Sequence, residues 1–548
     1  MARIPAIILD RVSLLTTSTI LVSLPEAGHP RDMPSTHTVI DLFAGPGGLA
    51  EGFASLTLDN GHQPFRVGVS AEMERSAHAT LSLRALYRKC MSADRKSAKA
   101  YWNLVPILVN NPTARLADAV DRVGLGGPWR EVEKEALQLT LGTATGNEIL
   151  RSGLLQLAKS RRDSLVLIGG PPCQAYSLVG RARNRGIRGY RPEKDKRHFL
   201  YEEYLSILHE FEPDLFIMEN VKGILSSRVG GTQVFDRILE DLQHPSGKGG
   251  PAYEIVPLAI PSDAGGSRNL WPSASDFVVR SENFGIPQAR HRVIVLGIRQ
   301  GTKASRTAAT ARLVPATAHV NLEDVLSDLP RLRSGLSHSE DSGYIWQRVM
   351  REQQRVLVRA LRNTDPKLAD YVAGRQFSNR LRRGSTRYAL IGRGSLAHRQ
   401  HFRNPALKQI LGHETRGHMP SDLCRYLFCA SYAAIYGHSP TSSVFPDELK
   451  PAHRSWDAGH FADRFRVQLG DAPASTVTSH LAKDGHHFIH WDAQQCRSLT
   501  VREAARAQTF PDDYLFLGNR TQQYTQVGNA VPPLLARQIA AIASDFLG

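Results

Sequence analysis

The sequence predicts an α/β fold: a doubly wound, mostly parallel sheet flanked by helices, with a second, smaller domain that interrupts it before the chain returns. Three observations carry this expectation. A β-type run, Thr38 to Asp41, meets a glycine turn, Phe43-Ala-Gly-Pro-Gly-Gly48, and then a helix-like stretch, which is how a nucleotide-type α/β unit opens. Short apolar runs rich in Val, Ile or Leu follow at Ser164 to Ile168, Leu215 to Met218 and Val293 to Ile298, as expected of buried parallel strands. After Gln300 the strand–helix rhythm stops, and compact α/β character resumes only at Ser498.

Taken in order, residues 1 to 35 are mildly apolar but broken by Asp10 and Arg11. They read as a poorly ordered leader rather than a signal peptide or membrane span, with Met33 as an alternative start. A second strand is expected at Arg66 to Ser70, running into Ala71-Glu72, and a helix at Glu74 to Lys89. Residues 90 to 160 read as mostly helical without a clear place. Leu200 to Phe211 is a helix between two strands, as a doubly wound sheet needs. Beyond Gln300 come a helix over Trp346 to Asn363 and a stretch holding Arg375, Arg380, Arg382, Arg383, Arg387, Arg393, Arg399 and Arg403 without an acid. The interleaved Phe377, Tyr388 and Phe402 favour a surface that faces phosphate over a merely solvated face. The expected division is 36–300 for the sheet domain, 301–490 for the recognition domain, and 491–548 for a segment that rejoins the first.

The 548-residue chain carries a net charge of +16, which suits a polyanionic partner, although a basic but ordinary enzyme fits charge alone equally well. Five cysteines, an odd and sparse set, argue for a reducing compartment and against a disulfide scaffold. Cys424, Cys429 and His438 lack a zinc spacing, so no metal is expected.

Chemistry gathers at the ends of the expected strands, where open α/β sheets bind ligands. The turn Asp41-x-Phe43-x-Gly45-x-Gly47 lets backbone approach a ligand closely. Glu72, at the end of the second strand, is placed to bind ribose hydroxyls. With Asp41 close by, a cofactor without phosphates fits at least as well as a dinucleotide. Cys173, in Gly169-Gly-Pro-Pro-Cys-Gln-Ala-Tyr-Ser177, directly follows a strand. Its two prolines and polar neighbours make it a better nucleophile than core filler. Arg181, Arg183, Arg185, Arg188 and Arg191, spaced by glycines, suggest a phosphate-directed lid. Glu219 ends a strand and would stand beside Cys173 if the two strands are neighbours, as a carboxyl able to hold a proton in a closed pocket. Arg290 and Arg292 alternate on an extended segment, so they would share a side near the same edge.

These blocks resemble the bacterial DNA cytosine-5 methyltransferases, the Dcm-like enzymes of restriction–modification systems. Asp41-Leu-Phe-Ala-Gly-Pro-Gly-Gly48, Gly170-Pro-Pro-Cys-Gln174, Glu219-Asn-Val221, Gln288-Ala-Arg-His-Arg292, Arg497 to Arg506 and Gln526 to Pro533 stand in the family's order over nearly the whole chain. The resemblance implies a Rossmann-like domain that uses S-adenosyl-L-methionine. Phe43, Ala44, Gly45, Pro46, Gly47, Glu72, Met73, Pro172, Leu200, Asn529 and Val531 would form its pocket, with Glu72 on the ribose and Met73 on the adenine. It also implies that Cys173, Glu219, Arg290 and Arg292 serve catalysis on a cytosine flipped out of double-stranded DNA, that residues 300 to 480 recognise the target, and that a cognate restriction endonuclease can accompany the enzyme in the bacterial cytoplasm. The family's acid after the third strand has no clear counterpart; Glu148 and Asp163 are candidates. The rival readings are an RNA cytosine methyltransferase, a non-catalytic DNA-binding protein on the same scaffold, and a nicotinamide oxidoreductase.

Overall fold

Strand formation follows the apolar runs. A computed structural model describes residues 36–159, 164–172, 200–229, 232–247, 250, 252–259, 273–302, 312–338, 340–389, 395–451, 456 and 463–548. The expected leader with Met33, the nucleophile candidate Cys173, the arginine–glycine lid and Asp163 lie outside the described residues. Among the described residues eight strands build the main sheet: β1 (His37–Leu42), β2 (Phe65–Glu72), β3 (Ala136–Gln138), β4 (Leu165–Gly169), β5 (Leu215–Val221), β6 (Tyr253–Pro257), β7 (Val278–Arg280) and β8 (His291–Arg299). Their order is β3-β2-β1-β4-β5-β8-β6, with β7 also paired to β8.

Strands β3, β2, β1, β4 and β5 pair in parallel. The expectation of three parallel runs fails for the last: β8 runs antiparallel to both β5 and β6. The helix Val234–Gln243 carries the chain from β5 to β6 past one vacant position. The later segment enters that gap from the opposite end of the sheet. Apolar content marks burial on both faces but carries no strand direction.

Alternation sends side chains to two cores. Val39, Val166, Ile168, Ile217 and Ile294 face one side, packed by helices Gly48–Ala54 and Pro533–Leu547. Ile40, Leu42, Leu167, Phe216 and Val293 face the other, covered by Ala144–Lys159, Leu200–Phe211 and Val234–Gln243. The C-terminal helix thus packs against the sheet and the helix that follows β1. It approaches so closely that a Cβ on Gly52 would lie 2.3 Å from the Ala536 Cβ.

Residues 336 to 496 hold a separate apolar core around the helices Gly343–Leu361 and Pro420–Tyr436. Thr36–Gly548 nevertheless forms one unit. Ionic groups weld its parts. Arg506 is fully buried, with its Nε and Nη2 each 2.8 Å from an oxygen of Asp512 and its Nη1 2.5 Å from Asp328. Burial alone would raise the Asp512 and Glu503 carboxyls, but the guanidinium groups of Arg506 and Arg497 overcome it and hold both below the usual range. Arg506→Met is therefore expected to cost about 3 kcal/mol, because it removes the fully buried partner of two carboxylates and leaves them chiefly Arg403. Urea unfolding tests this, and a loss under about 1 kcal/mol would contradict it. The contribution of Asp512 and Glu503 is present above an unfolded pKa of about 4 and is lost as pH falls through their lower folded values.

Candidate active site

The catalytic candidates converge where β4, β5 and β8 meet. Strands β4 and β5 are neighbours, with Gly169 opposite Met218. The next residue, Gly170, sits so close to the Glu219 carboxylate that a Cβ there would be 3.0 Å from Oε2. Glycine at 170 lets the carboxylate lie against the chain three residues before Cys173. Asn220 Nδ2 donates to the Pro171 carbonyl at 3.3 Å, pinning the two prolines to β5. Across the other edge of β5, Arg292 Nε lies 2.8 Å from Glu219 Oε1. The two side chains are 15% and 14% exposed, so the pair is largely covered and meets solvent only at the rim of the site.

Arg290 has a different environment. It is 2% exposed, and its Nη1 donates to the Val477 carbonyl at 2.8 Å. Among the described residues its Nε has no hydrogen-bond partner. Burial, helped by repulsion from Arg292, holds its pKa well below the ordinary value. The alternation expected of Arg290 and Arg292 is interrupted because the segment is two pieces. Gln288–Ala289 pairs with Ala474–Ser475, and the chain bends at Arg290 before β8 starts. Buried Gln288 reinforces that junction: its Nε2 donates to the Ala507 carbonyl at 3.1 Å and its Oε1 accepts from Val477 N at 2.7 Å.

The cofactor candidates surround the turn after β1. Phe43, Gly45 and Gly47 adopt φ of 58°, 57° and 94°. The left-handed region is open to glycine but strained for phenylalanine. Gly45 faces open space, and its N–H donates to Glu72 Oε2 at 2.8 Å. Glu74 N donates to the other Glu72 oxygen at 2.6 Å. Burial raises the Glu72 carboxyl, and raises the fully buried Asp41 further, where Glu72 adds repulsion. Among the described residues Asp41 Oδ2 has no hydrogen-bond partner. Met73 stands 61% exposed at the strand end, an apolar side chain free to be covered by a flat ring. Val531 brings its carbonyl within 2.4 Å of a Cβ built on Gly48, so the C-terminal segment closes on the turn. Asn529 is exposed beside it, at the end of the helix Arg520–Asn529. Pro172 is half-buried, and Leu200 lies 3.3 Å from a Cβ on Gly142, beyond β3. Two carboxyls, an open glycine and an exposed thioether fit an uncharged nucleoside bearing a sulfonium better than a pyrophosphate.

Strand β3 pairs its Gln138 with Glu72. No acid follows it before Glu148, which is exposed on the helix Ala144–Lys159. A three-residue strand leaves no periodic trace, so sequence could not locate it.

The arginine run from 375 to 403 is less uniform than its sequence implies. Arg383 pairs with Asp341 at 2.9 Å, and Arg403 pairs with Asp328 and Asp512. Arg375 lies 4.1 Å over the Tyr371 ring. Phe377 and Phe402 are buried in cores, so they do not interleave an exposed surface as expected. Their acid partners and apolar neighbours come from distant parts of the chain. Arg380 and Arg382 remain exposed, while Arg393 lies outside the described residues. Cys90, Cys424, Cys429 and Cys496 are buried, unlinked thiols, and burial pushes each upward in pKa. Among the described residues no His, Cys, Asp and Glu cluster could hold a metal.

The sequence matches the C-5 cytosine-specific DNA methylase family over residues 155–255 and 273–543. It is 31% identical over 518 residues to a type II methyltransferase of Bacillus paralicheniformis, covering 93% of this chain and 99% of that protein. A type II methyltransferase of Thalassovita gelatinovora is 26% identical over 557 residues, covering 91% and 97%. A DNA (cytosine-5-)-methyltransferase of Aeropyrum pernix is 26% identical over 406 residues, covering 70% and 82%.

Proposed function

The chain belongs to the C-5 cytosine-specific DNA methylase family, and from that premise we propose that it methylates carbon 5 of a flipped-out cytosine in a specific duplex sequence, through a covalent adduct with Cys173. The observation that carries this reading is the Glu219–Arg292 pair at the rim, pressed against Gly170 on the approach to Cys173. S-adenosyl-L-methionine, when bound, supplies an electrophilic methyl group.

Every other part falls to residues of the chain. The Cys173 thiolate adds to carbon 6 of the ring, and its electron pair makes carbon 5 nucleophilic. Glu219 meets ring nitrogen 3 and offsets the charge that develops there. Arg292 binds the ring carbonyl while holding Glu219 in place. Arg290, buried on the Val477 carbonyl, keeps the entry to β8 fixed behind Arg292. After methylation, loss of the carbon 5 proton re-forms the double bond and expels the thiolate. Phe43 to Gly47, Met73, Pro172, Leu200, Asn529 and Val531 would hold the cofactor, with Glu72 on its ribose. Flipping costs roughly a few kcal/mol, offset by phosphate contacts of the recognition region, residues 301–490.

We place the enzyme in the bacterial cytoplasm, acting on nucleoid DNA as the modification partner of a restriction endonuclease. Among the described residues no helix is long and apolar enough to cross a membrane. Bisulfite sequencing of DNA from cells expressing the protein is expected to show 5-methylcytosine at one short sequence. Unmodified DNA alongside methylated tRNA would instead support the RNA reading.

A further inference from the structure

We propose that Tyr514 is a positioning residue for the cofactor turn, fixing it from the far end of the chain with Arg84 as its support. The inference rests on the cofactor reading above and deepens it. The turn after β1 places Phe43, Gly45 and Gly47 at positive φ, and a non-glycine residue in that region persists only where its surroundings hold it. The Tyr514 hydroxyl donates to the Pro46 carbonyl at 2.5 Å, 468 positions away. It also lies 3.1 Å from a Cβ built on Gly47, so it defines the space beneath the turn. The Tyr514 side chain is 1% exposed, and burial pushes its hydroxyl well above the ordinary value, so it stays a donor.

Arg84 secures this contact from below. Its guanidinium sits 4.9 Å from the Tyr514 ring centroid. Its Nη2 and Nε donate to the two oxygens of Glu51 at 2.6 and 2.9 Å, and its Nη1 donates to Asp513 at 3.0 Å. Glu51 lies in the first turn of the helix that the cofactor turn opens, and Asp513 immediately precedes Tyr514. One buried cation thus ties the helix after the turn to the segment that supplies the hydroxyl. Asn404, from the recognition region, donates to the second Asp513 oxygen at 2.6 Å and extends the tie toward that region.

The test is calorimetric titration of the DNA-free protein with S-adenosylmethionine and with S-adenosylhomocysteine, comparing the unaltered chain with Tyr514→Phe. The ring is kept and only the hydroxyl is lost. The expected result is cofactor affinity weakened about tenfold, with DNA affinity unchanged and the melting temperature lowered by no more than a few degrees. Arg84→Lys, which keeps the charge but loses the fork, should weaken the cofactor by a smaller factor in the same direction. Cofactor binding by Tyr514→Phe within twofold of the unaltered protein would overturn the inference alone. So would a parallel fall in cofactor affinity, DNA affinity and melting temperature, since that pattern marks general destabilisation. No cofactor binding by the unaltered protein would sink the cofactor reading itself.

Discussion

Cys173→Ser is expected to reduce methyl transfer by on the order of 10³-fold or more, with cofactor binding essentially intact. A serine hydroxyl at neutral pH is almost wholly protonated and adds poorly to carbon 6, whereas a thiol supplies an appreciable thiolate fraction. The other four cysteines cannot substitute. Each is buried, and each thiol is pushed up in pKa by burial. Cofactor affinity should survive because the determinants proposed for it are the turn after β1, Glu72 and Met73, and the C-terminal segment, none of which the substitution alters. A single-turnover assay with methyl-labelled cofactor, paired with calorimetry, measures both quantities. Turnover within tenfold of the unaltered enzyme would remove Cys173 from the mechanism. A mechanism-based probe, 5-fluorocytosine in the target DNA, adds an independent readout: the unaltered enzyme should form a denaturant-stable adduct, and the serine variant none.

Glu219→Gln is expected to slow the chemical step roughly 10²–10⁴-fold, the range for a positioned acid–base group, while DNA affinity changes less than threefold. The amide is nearly isosteric, so it keeps the shape beside Gly170. It cannot match the charge of Arg292, however, and it cannot share a proton with ring nitrogen 3. The 2.8 Å pair with Arg292 sharpens the expectation. Releasing Arg292 removes one donor to the ring carbonyl as well, so the two residues should act as a unit. A double variant, Glu219→Gln with Arg292→Lys, is then expected to fall well short of the product of the single losses. Equal losses of chemistry and DNA binding in the single variant would assign Glu219 a structural role.

Much of the proposed site was legible because it is written in short contiguous blocks. Thr38 to Asp41, the glycine turn, Glu72 and the run ending at Cys173 each announce a strand end, and a parallel sheet brings its strand ends to one edge. Helix Leu200–Phe211 was readable to the residue from its apolar spacing. Other elements carry weaker signals. Strand β3 is three residues long. The direction of β8 depends on a crossover that leaves one position vacant, and apolar content is blind to that.

Charge was the least transferable reading. Between Arg375 and Arg403 the absence of local acids suggested a phosphate-facing run, yet Asp328, Asp341 and Asp512 neutralise Arg383 and Arg403 from outside it. Arg290 and Arg292 look equivalent two positions apart. Packing gives one a buried carbonyl and the other the Glu219 carboxylate.

The sequence by itself determined the family and the α/β class, because these depend on residue type and order along single segments. Only the tertiary structure decided the geometry among segments. It set Glu219 against Gly170 and Arg292, placed Gln138 opposite Glu72, and brought Tyr514 onto a turn 468 positions away. The physical reason is that hydrogen bonds and ion pairs act over a few ångströms of space. Which groups come within that range is fixed by strand order and helix packing, and those are properties of the whole chain.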